Sequence, residues 1–483
     1  MANIVLNKEQ QAAKDAIVPF YNSKVLEMTL QGPAGTGKTT CLLQIVKVME
    51  KKRIPYMLCS TTNRAAKVMA DATDKPAITL DKFLFKTDEY GNKESRYGKF
   101  GLKQFSDGIV VIDEASMIGK DNMDELLKQI RTLNCKVLYV GDPEQLPPVQ
   151  ENPRNVFKEA DMLGVKLDKV MRQAKDSQIL ALATAIRRKK YVLLPADSKG
   201  DVKYRDNLFV PFVMDQKRGI SSALVVAKND TRVKANLAVR KALNYPENDV
   251  VEGETLIGIA NSTSIANSEN FVLEEILEDY GKFDFPFTYR KGKNQITVTV
   301  HCDVLKGKVD GATRKLLVMK DFPSASIFPN TGIPNEYRRM LAGKTNKTFA
   351  SISKSGFVSI EADVIICTYG YAITCNKSQG GQWDNVYVAE RWSWGEAEHQ
   401  YRWFYTAVTR AAKKLFLSKK MFAQKLDWAN IEAICDGGVP VSSQVQTSAE
   451  DYAMPDYEEC FGSDEVPPPT DADFNNVTVV DCI

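Results

Sequence analysis

Histidine is nearly missing from this chain: only His301 and His399 occur in 483 residues. Far apart in sequence, they do not suggest a histidine-based metal centre, and a structural role suits both. The nine cysteines are odd in number and include no C-x-x-C pair. That argues against a disulfide frame or a zinc site and for reduced thiols. No apolar run approaches the length of a membrane span. The opening residues, MANIVLNKEQ, have neither the apolar core of a signal peptide nor the arginines of a transit peptide.

Basic residues are missing from one stretch. After Lys425 there is no Lys or Arg, while thirteen Asp or Glu lie there. The remainder holds 64 basic against 48 acidic residues, so the net charge of +3 combines a body at +16 with an acidic tail. A basic body suits a polyanionic partner, or serves solubility alone. From about Gly437 the chain is rich in Ser, Pro, Asp and Glu, a composition that predicts disorder. This segment, 437–483, would bind a partner protein, compete with nucleic acid, or simply solubilise.

Against these absences stands Gln31 to Thr40, QGPAGTGKTT. Gly32, Gly37, Lys38 and Thr39 fit the spacing of a phosphate loop. Val25 to Leu30 reads as a buried strand before it, and Leu42 to Val48 as a helix after it. Glycines let successive N–H groups face an anion, and the helix adds its positive end. Lys38 would reach the β- and γ-phosphates of ATP, and Thr39 would hold Mg²⁺. Upstream, Leu6 to Ala13 reads as a helix start capped by Asn7. The Gln10 amide has the donor and acceptor to match an adenine edge, or is a solvated helix residue.

Ile109 to Met117, IVVIDEASM, is an apolar strand ending in two carboxylates. A buried parallel strand would deliver Asp113 to Mg²⁺ and Glu114 to a water aimed at the γ-phosphate. Lys136 to Val140 is another strand, ending in GDPEQLPPV. Gln145 there is placed to sense the γ-phosphate, and Pro147 and Pro148 stiffen the turn. Between the loop and the carboxylates, Ser60 to Asn63 offer small polar groups at a strand's carboxyl end, where α/β sheets bind ligands; a helix cap explains Thr62 or Asn63 equally well. Residues ~85–106 carry glycines and aromatics that suit an inserted β-hairpin or a surface loop.

LNKEQ, GPAGTGKTT, STTNRAA, VIDEAS and GDPEQLPPV, in this order, resemble the motifs of superfamily 1 helicases, most nearly the 1B branch of RecD-like and Dda-like enzymes. The resemblance continues with LDKVMRQ, with YAITCNKSQGG and with YTAVTRA. It implies an α/β fold of two RecA-like P-loop NTPase domains that clamp ATP and walk 5′ to 3′ on single-stranded DNA, unwinding duplex. It implies nucleotide contacts from Gln10, from Gly32, Pro33, Ala34, Gly35, Thr36, Gly37, Lys38, Thr39 and Thr40, and from Gln379 and Gly380. Arg172 would reach the γ-phosphate, and Arg410 would act as arginine finger. Thr62, Asn63, Thr79, Pro147, Asn229, Thr374 and Asn376 would lie along DNA, with Thr231 beside Asn229. Two positions depart from the family: Asp81 and Asn376 stand where histidine is common.

On this reading 1–165 form domain 1A with hairpin 1B, whose Tyr90–Gly91 tip is the candidate wedge. Residues 166–236 and 361–436 form domain 2A, and 237–360 an inserted SH3-like subdomain 2B. In 2B, Lys282, Arg290, Lys291 and Lys293 would line a phosphate path or be solvated. Trp383, Trp392, Trp394 and Trp403 would stack on bases or pack in the core. The implied partners are single-stranded DNA, duplex junctions and, through the tail, a replication or recombination protein. The implied location is the cytoplasm of a bacterial or phage-infected host. Two other readings stay open: a nucleotide-gated binding ATPase with little unwinding, and a RecD-like subunit of a nuclease complex.

Overall fold

The computed structural model describes residues 5–87, 93–96, 105–148, 155–157, 163–169, 177–188, 200–205, 207–246, 250–258, 265, 269–277, 283–291, 294–309, 312–319, 347–353, 356–365, 367–388 and 397–418. Arg172, the Tyr90–Gly91 tip, Lys282, Lys293, Trp392, Trp394 and the acidic tail lie outside these residues. The chain divides into two compact units. The first comprises Met1–Met171, Tyr245–Gly370 and Gln379–Gly381; the second comprises Arg172–Asn244, Tyr371–Ser378 and Gln382–Ile483.

The first unit is built on a six-stranded parallel sheet. Its strands are β1 (Glu27–Gln31), β2 (Tyr56–Ser60), β3 (Ala77–Thr79), β6 (Ile109–Asp113), β7 (Lys136–Gly141) and β8 (Leu163–Lys166), in the order β3-β2-β6-β7-β1-β8. Helices α1 (Lys8–Asn22), α2 (Lys38–Lys51) and α3 (Asn63–Thr73) supply one apolar layer, and α4 (Leu80–Leu84) and α5 (Lys120–Thr132) the other. Strand β6 shows why both faces are covered. Ile109 and Val111 pack with Leu42 and Ile45, while Val110 and Ile112 pack with Phe83 and Leu126. Each such side chain contributes roughly 1.5–3 kcal/mol on burial, so a strand apolar on both sides needs helices on both sides. Asp113, the first polar residue of β6, falls where the strand leaves the core. β4 (Phe85–Thr87) and β5 (Lys93–Ser95) pair antiparallel as a hairpin. Its base is held to α5, where the Gln129 amide donates to the Leu84 carbonyl at 2.6 Å.

The first unit also carries an eight-stranded, mainly antiparallel sheet: β11 (Thr255–Gly258), β12 (Asn270–Ile276), β13 (Phe283–Lys291), β14 (Asn294–Val309), β15 (Ala312–Met319), β16 (Lys347–Ser353), β17 (Gly356–Ile365) and β18 (Cys367–Tyr369). The long β14 pairs with β12, β13 and β15. Its extent differs from the sequence-based boundaries. Residues 361–370 do not begin the second parallel sheet, because β17 pairs with β15 and β16, and β18 with β11. Nor does the insertion begin at 237, because a helix of the second unit runs on through Ala242. The first boundary shifts too: β8, ending at Lys166, pairs with β1 in the first sheet.

The second unit has a five-stranded parallel sheet. Its strands are β9 (Val202–Arg205), β10 (Ser222–Val226), β19 (Ala372–Thr374), β20 (Trp383–Val388) and β21 (Ala411–Ser418), in the order β19-β10-β20-β21-β9. Its helices are α6 (Gln178–Arg187), α7 (Phe209–Lys217), α8 (Asn229–Ala242), α9 (Cys375–Ser378) and α10 (Ala397–Val408). The buried Asp215 accepts from Asn385 Nδ2 at 2.6 Å and from the Tyr387 hydroxyl at 2.7 Å. Burial and this carboxylate push the Tyr387 phenol up. Trp383 and Trp403 are buried in this unit's core and present no face to a base. Among the described residues, five cysteines are free and buried, no cluster of His, Cys, Asp or Glu could hold a metal ion, and no helix is long and apolar enough to cross a membrane.

Candidate functional site

The centre of the first unit is the turn from β1 into α2. Gly35 and Gly37 adopt φ of 79° and 78°, a left-handed conformation open to glycine and strained for other residues. Gly37 is the residue before α2 and has no side chain to cap it. The first-turn N–H groups therefore point at the loop rather than at a hydroxyl or carboxylate, which suits an anion. Gly32 is needed for a different reason. A Cβ there would lie 2.7 Å from Thr36 Oγ1 and 2.8 Å from the Leu167 carbonyl oxygen. Thr36 is buried, and its hydroxyl donates to the Pro33 carbonyl at 2.8 Å, closing the loop on itself. Lys38 Nζ donates to the carbonyls of Gly32, at 2.6 Å, and Pro33, at 3.1 Å. A phosphate would compete with these two neutral acceptors and, carrying charge, would win. Thr39 is exposed on the first turn of α2.

Asp113 and Glu114 end β6 in the same sheet. Burial, then the neighbouring Glu114 charge, pushes the Asp113 carboxyl up, and Lys38 pulls it partly back. Asp113 Oδ1 accepts from the Glu114 N–H at 2.9 Å. Glu114 itself sits at φ 53°, in the left-handed region. A side chain that is neither Gly nor Asn held there is strained, and the surroundings must hold it in place. Two hydroxyls do so: Ser60 donates to the Asp113 carbonyl and Thr61 to the Glu114 carbonyl, each at 3.2 Å. These two roles were not legible from the Ser60–Asn63 cluster, because they depend on the pairing of β2 with β6. Asp142 and Gln145 are buried in the turn after β7, where Glu144 N–H donates to Asp142 Oδ1 at 3.1 Å.

Several assigned residues behave differently in three dimensions. Gln10 is neither solvated nor open to a base: it is 0% exposed. Its Oε1 accepts from the Asn7 N–H at 3.0 Å, as part of a capping box, and its Nε2 donates to the Thr36 carbonyl at 3.0 Å. One function of the amide thus closes the cap of α1, and the other holds the phosphate loop to that helix. Thr62 and Thr79 are helix caps, accepting from Ala65 N–H at 3.1 Å and Lys82 N–H at 3.2 Å. Asp81 follows Thr79 in the first turn of α4, where the helix dipole favours a carboxylate. That accounts for a negative charge at this position. Pro147 is partly buried, and Asn63 is the first residue of α3.

Gln379 and Gly380 join the first unit rather than the second. Gln379 Nε2 donates to the Leu146 carbonyl at 2.9 Å, and its buried Oε1 has no partner among the described residues. Gly380 packs so that a Cβ would lie 2.9 Å from both Ala65 Cβ and Thr62 Oγ1. In the second unit, Thr374 is buried at the end of β19, Asn376 is half-buried on α9, and Asn229 is exposed at the start of α8. Arg410 follows α10, is 6% exposed and is turned back onto that helix, its Nε donating to the Thr406 carbonyl at 3.0 Å and its Nη2 to the Thr409 hydroxyl at 3.1 Å. A finger role therefore requires the guanidinium to leave these partners.

The profile of an AAA domain family matches residues 5–205, and that of the UvrD-like helicase C-terminal domain matches residues 369–418. The ATP-dependent RecD2 DNA helicase of Deinococcus radiodurans is 30% identical over 156 residues, covering 32% of this chain and 21% of that protein. The ATP-dependent DNA helicase dda of Enterobacteria phage T4 is 24% identical over 271 residues, covering 52% of this chain and 60% of that protein. The chain therefore spans less than two thirds of the length of either curated relative. Among solved structures, a Pif1 helicase from Bacteroides in complex with ADP-AlF3 and ssDNA aligns with a TM-score of 0.51 at 16% identity, covering 90% of this chain and 98% of that one. That likeness establishes the fold, two RecA-like α/β sheets. The ordered motifs, the two profile matches and this fold together make the chain similar to the helicases of superfamily 1B.

Proposed function

We propose that this chain is an ATP-driven translocase that moves 5′ to 3′ on single-stranded DNA and separates duplex ahead of it. The observation that carries the reading is the pairing, in one parallel sheet, of an uncapped α2 N-terminus behind two left-handed glycines with a strained carboxylate pair at the end of β6. The loop N–H groups of Gly35 to Thr39 bind the phosphates, and Lys38 exchanges its two carbonyls for β- and γ-oxygens. Thr39 and Asp113 are the residues to hold Mg²⁺: one offers an exposed hydroxyl, the other a carboxylate that burial leaves short of a cation. When bound, the ion neutralises charge on the β- and γ-phosphates. Glu114, aimed by its left-handed backbone, orients a water and takes its proton. Arg410 and Arg172 are the cationic groups to stabilise charge on the transferring phosphoryl, as arginine forks do. Asn63, Asn229 and Asn376, assigned polar side chains with accessible surface that do not cap a helix, are candidates to contact DNA phosphates.

The deciding experiment is strand displacement on duplexes with a 5′ or a 3′ single-stranded tail, run beside ATP turnover with and without single-stranded DNA. Expected are DNA-stimulated turnover and displacement of the 5′-tailed substrate only. Turnover without displacement of either would reduce the chain to a nucleotide-gated binding ATPase, and displacement from the 3′ tail would reverse the polarity.

A further inference from the structure

The first turn of α1 holds two parts of the first unit at once. Gln10 ties it to the phosphate loop through the Thr36 carbonyl. Glu9, the adjacent residue, ties it to the segment after β8: one oxygen, Glu9 Oε2, accepts from the N–H groups of Asp168 and Lys169, both at 2.9 Å. That segment rests on the loop from the other side. Leu167 N–H donates to the Gln31 carbonyl at 2.8 Å, and the Leu167 carbonyl oxygen lies 2.8 Å from where a Gly32 Cβ would go. The contacts form a closed ring: Glu9, Asp168 and Lys169, Leu167, Gln31 and Gly32, Thr36, Gln10, and back to Glu9. Lys169 lies shortly before Arg172, where the chain enters the second unit.

We propose that Glu9 is a positioning residue that couples occupation of the phosphate loop to the chain segment leaving the first unit. The inference rests on the proposed nucleotide site. A phosphate that draws Lys38 off Gly32 and Pro33 changes the loop's internal bonds. The loop cannot shift at Gly32 without pressing on Leu167, and it cannot shift at Thr36 without pulling on α1. Glu9 closes the ring, so displacement at the loop is delivered to residues 167–169 instead of dissipating. A glutamate-length side chain suits the task because its reach lets one oxygen accept two N–H groups at once. Its place in the first turn of a helix also favours the charge, so reach and charge must be separated by experiment.

Three variants separate them. Glu9→Gln keeps the reach and the acceptor but loses the charge. Glu9→Asp keeps the charge but is one methylene short of both N–H groups. Glu9→Ala loses both. Hydrogen exchange of the peptide spanning 163–169 is measured with and without a non-hydrolysable ATP analogue, beside DNA-stimulated kcat and KM for ATP. Expected in the wild type is added protection of this peptide with the analogue. Glu9→Gln should keep it, whereas Glu9→Asp and Glu9→Ala should lose it, with kcat down about fivefold and KM little changed, as suits loss of solvent-exposed hydrogen bonds. Glu9→Asp behaving as wild type, or Glu9→Gln as deficient as Glu9→Ala, would overturn the proposal, and so would a loss confined to KM. Should Glu9→Ala fail to fold, the contrast of Asp with Gln carries the test. Analogue binding to the wild type with no change at 163–169 overturns the coupling alone. Failure of the analogue to bind overturns the nucleotide site and the coupling with it.

Discussion

Gly32→Ala is a one-carbon perturbation whose effect can be worked out from its neighbours. The added Cβ would meet Thr36 Oγ1 at 2.7 Å, the Leu167 carbonyl oxygen at 2.8 Å and Leu167 Cβ at 3.0 Å. None of these is the loose end of a flexible side chain. The Thr36 hydroxyl is bonded to Pro33, and Leu167 is 0% exposed with its N–H bonded to Gln31. Overpacking of this kind costs about 1–3 kcal/mol, which for a domain of 150–250 residues lowers the melting temperature by roughly 2–12 °C. The strain falls on the loop, so affinity for a fluorescent ATP analogue should fall with it. The assay is differential scanning calorimetry beside analogue titration. Gly253→Ala is the control. Gly253 has φ of 83° with nothing within 4 Å of its added Cβ, so it should cost about 1–2 kcal/mol from backbone strain and leave affinity intact. Adding Thr36→Ala to Gly32→Ala should restore only part of the loss, since the Leu167 carbonyl remains. Wild-type melting and affinity in Gly32→Ala would refute the close approach of residues 167 and 32.

Lys38→Ala should abolish ATP turnover, and persistent DNA-stimulated hydrolysis would remove the phosphate-loop assignment. Asp113→Asn should stop turnover while raising stability by about 1 kcal/mol, because an ionised carboxylate is no longer held beside Glu114. The sign follows from the raised carboxyl: its ionised form weakens the fold at pH values above the ordinary carboxylate range, so the gain should shrink in acid. A lower melting temperature for Asp113→Asn at neutral pH would contradict this. Arg410→Ala should leave analogue binding within about twofold and cut turnover by at least about a thousandfold, the range of arginine-finger losses; unchanged turnover in a rapid-quench assay would end that role.

The chemistry of the first unit was legible in the sequence because it is local. Glycine spacing, a hydroxyl after a lysine and two carboxylates after four apolar residues are read within ten positions. The turn from β1 to α2 and the end of β6 follow from chain geometry at that range. Roles that depend on a partner far along the chain were not legible. Nothing near Gln10 says that its amide meets Thr36, and nothing near Ser60 says that its hydroxyl meets the Asp113 carbonyl. Residues 361–370 read as strand whichever sheet they join, and only their pairing with β11, β15 and β16 assigns them to the insertion.

The sequence by itself determined the kind of chemistry: a phosphate-binding turn, a carboxylate pair and a basic body, each set by residue type and short spacing. The tertiary structure decided which groups remain available to perform it. It turned Gln10 inward, put Thr62 and Thr79 to use as caps, folded Arg410 back onto the helix before it and joined Glu9 to residues 168 and 169. The physical reason is that a hydrogen-bonding group can serve a ligand only where the fold has not already engaged it; some engagements are local, as at Thr62, Thr79 and Arg410, while those of Gln10 and Glu9 join residues far apart in the chain.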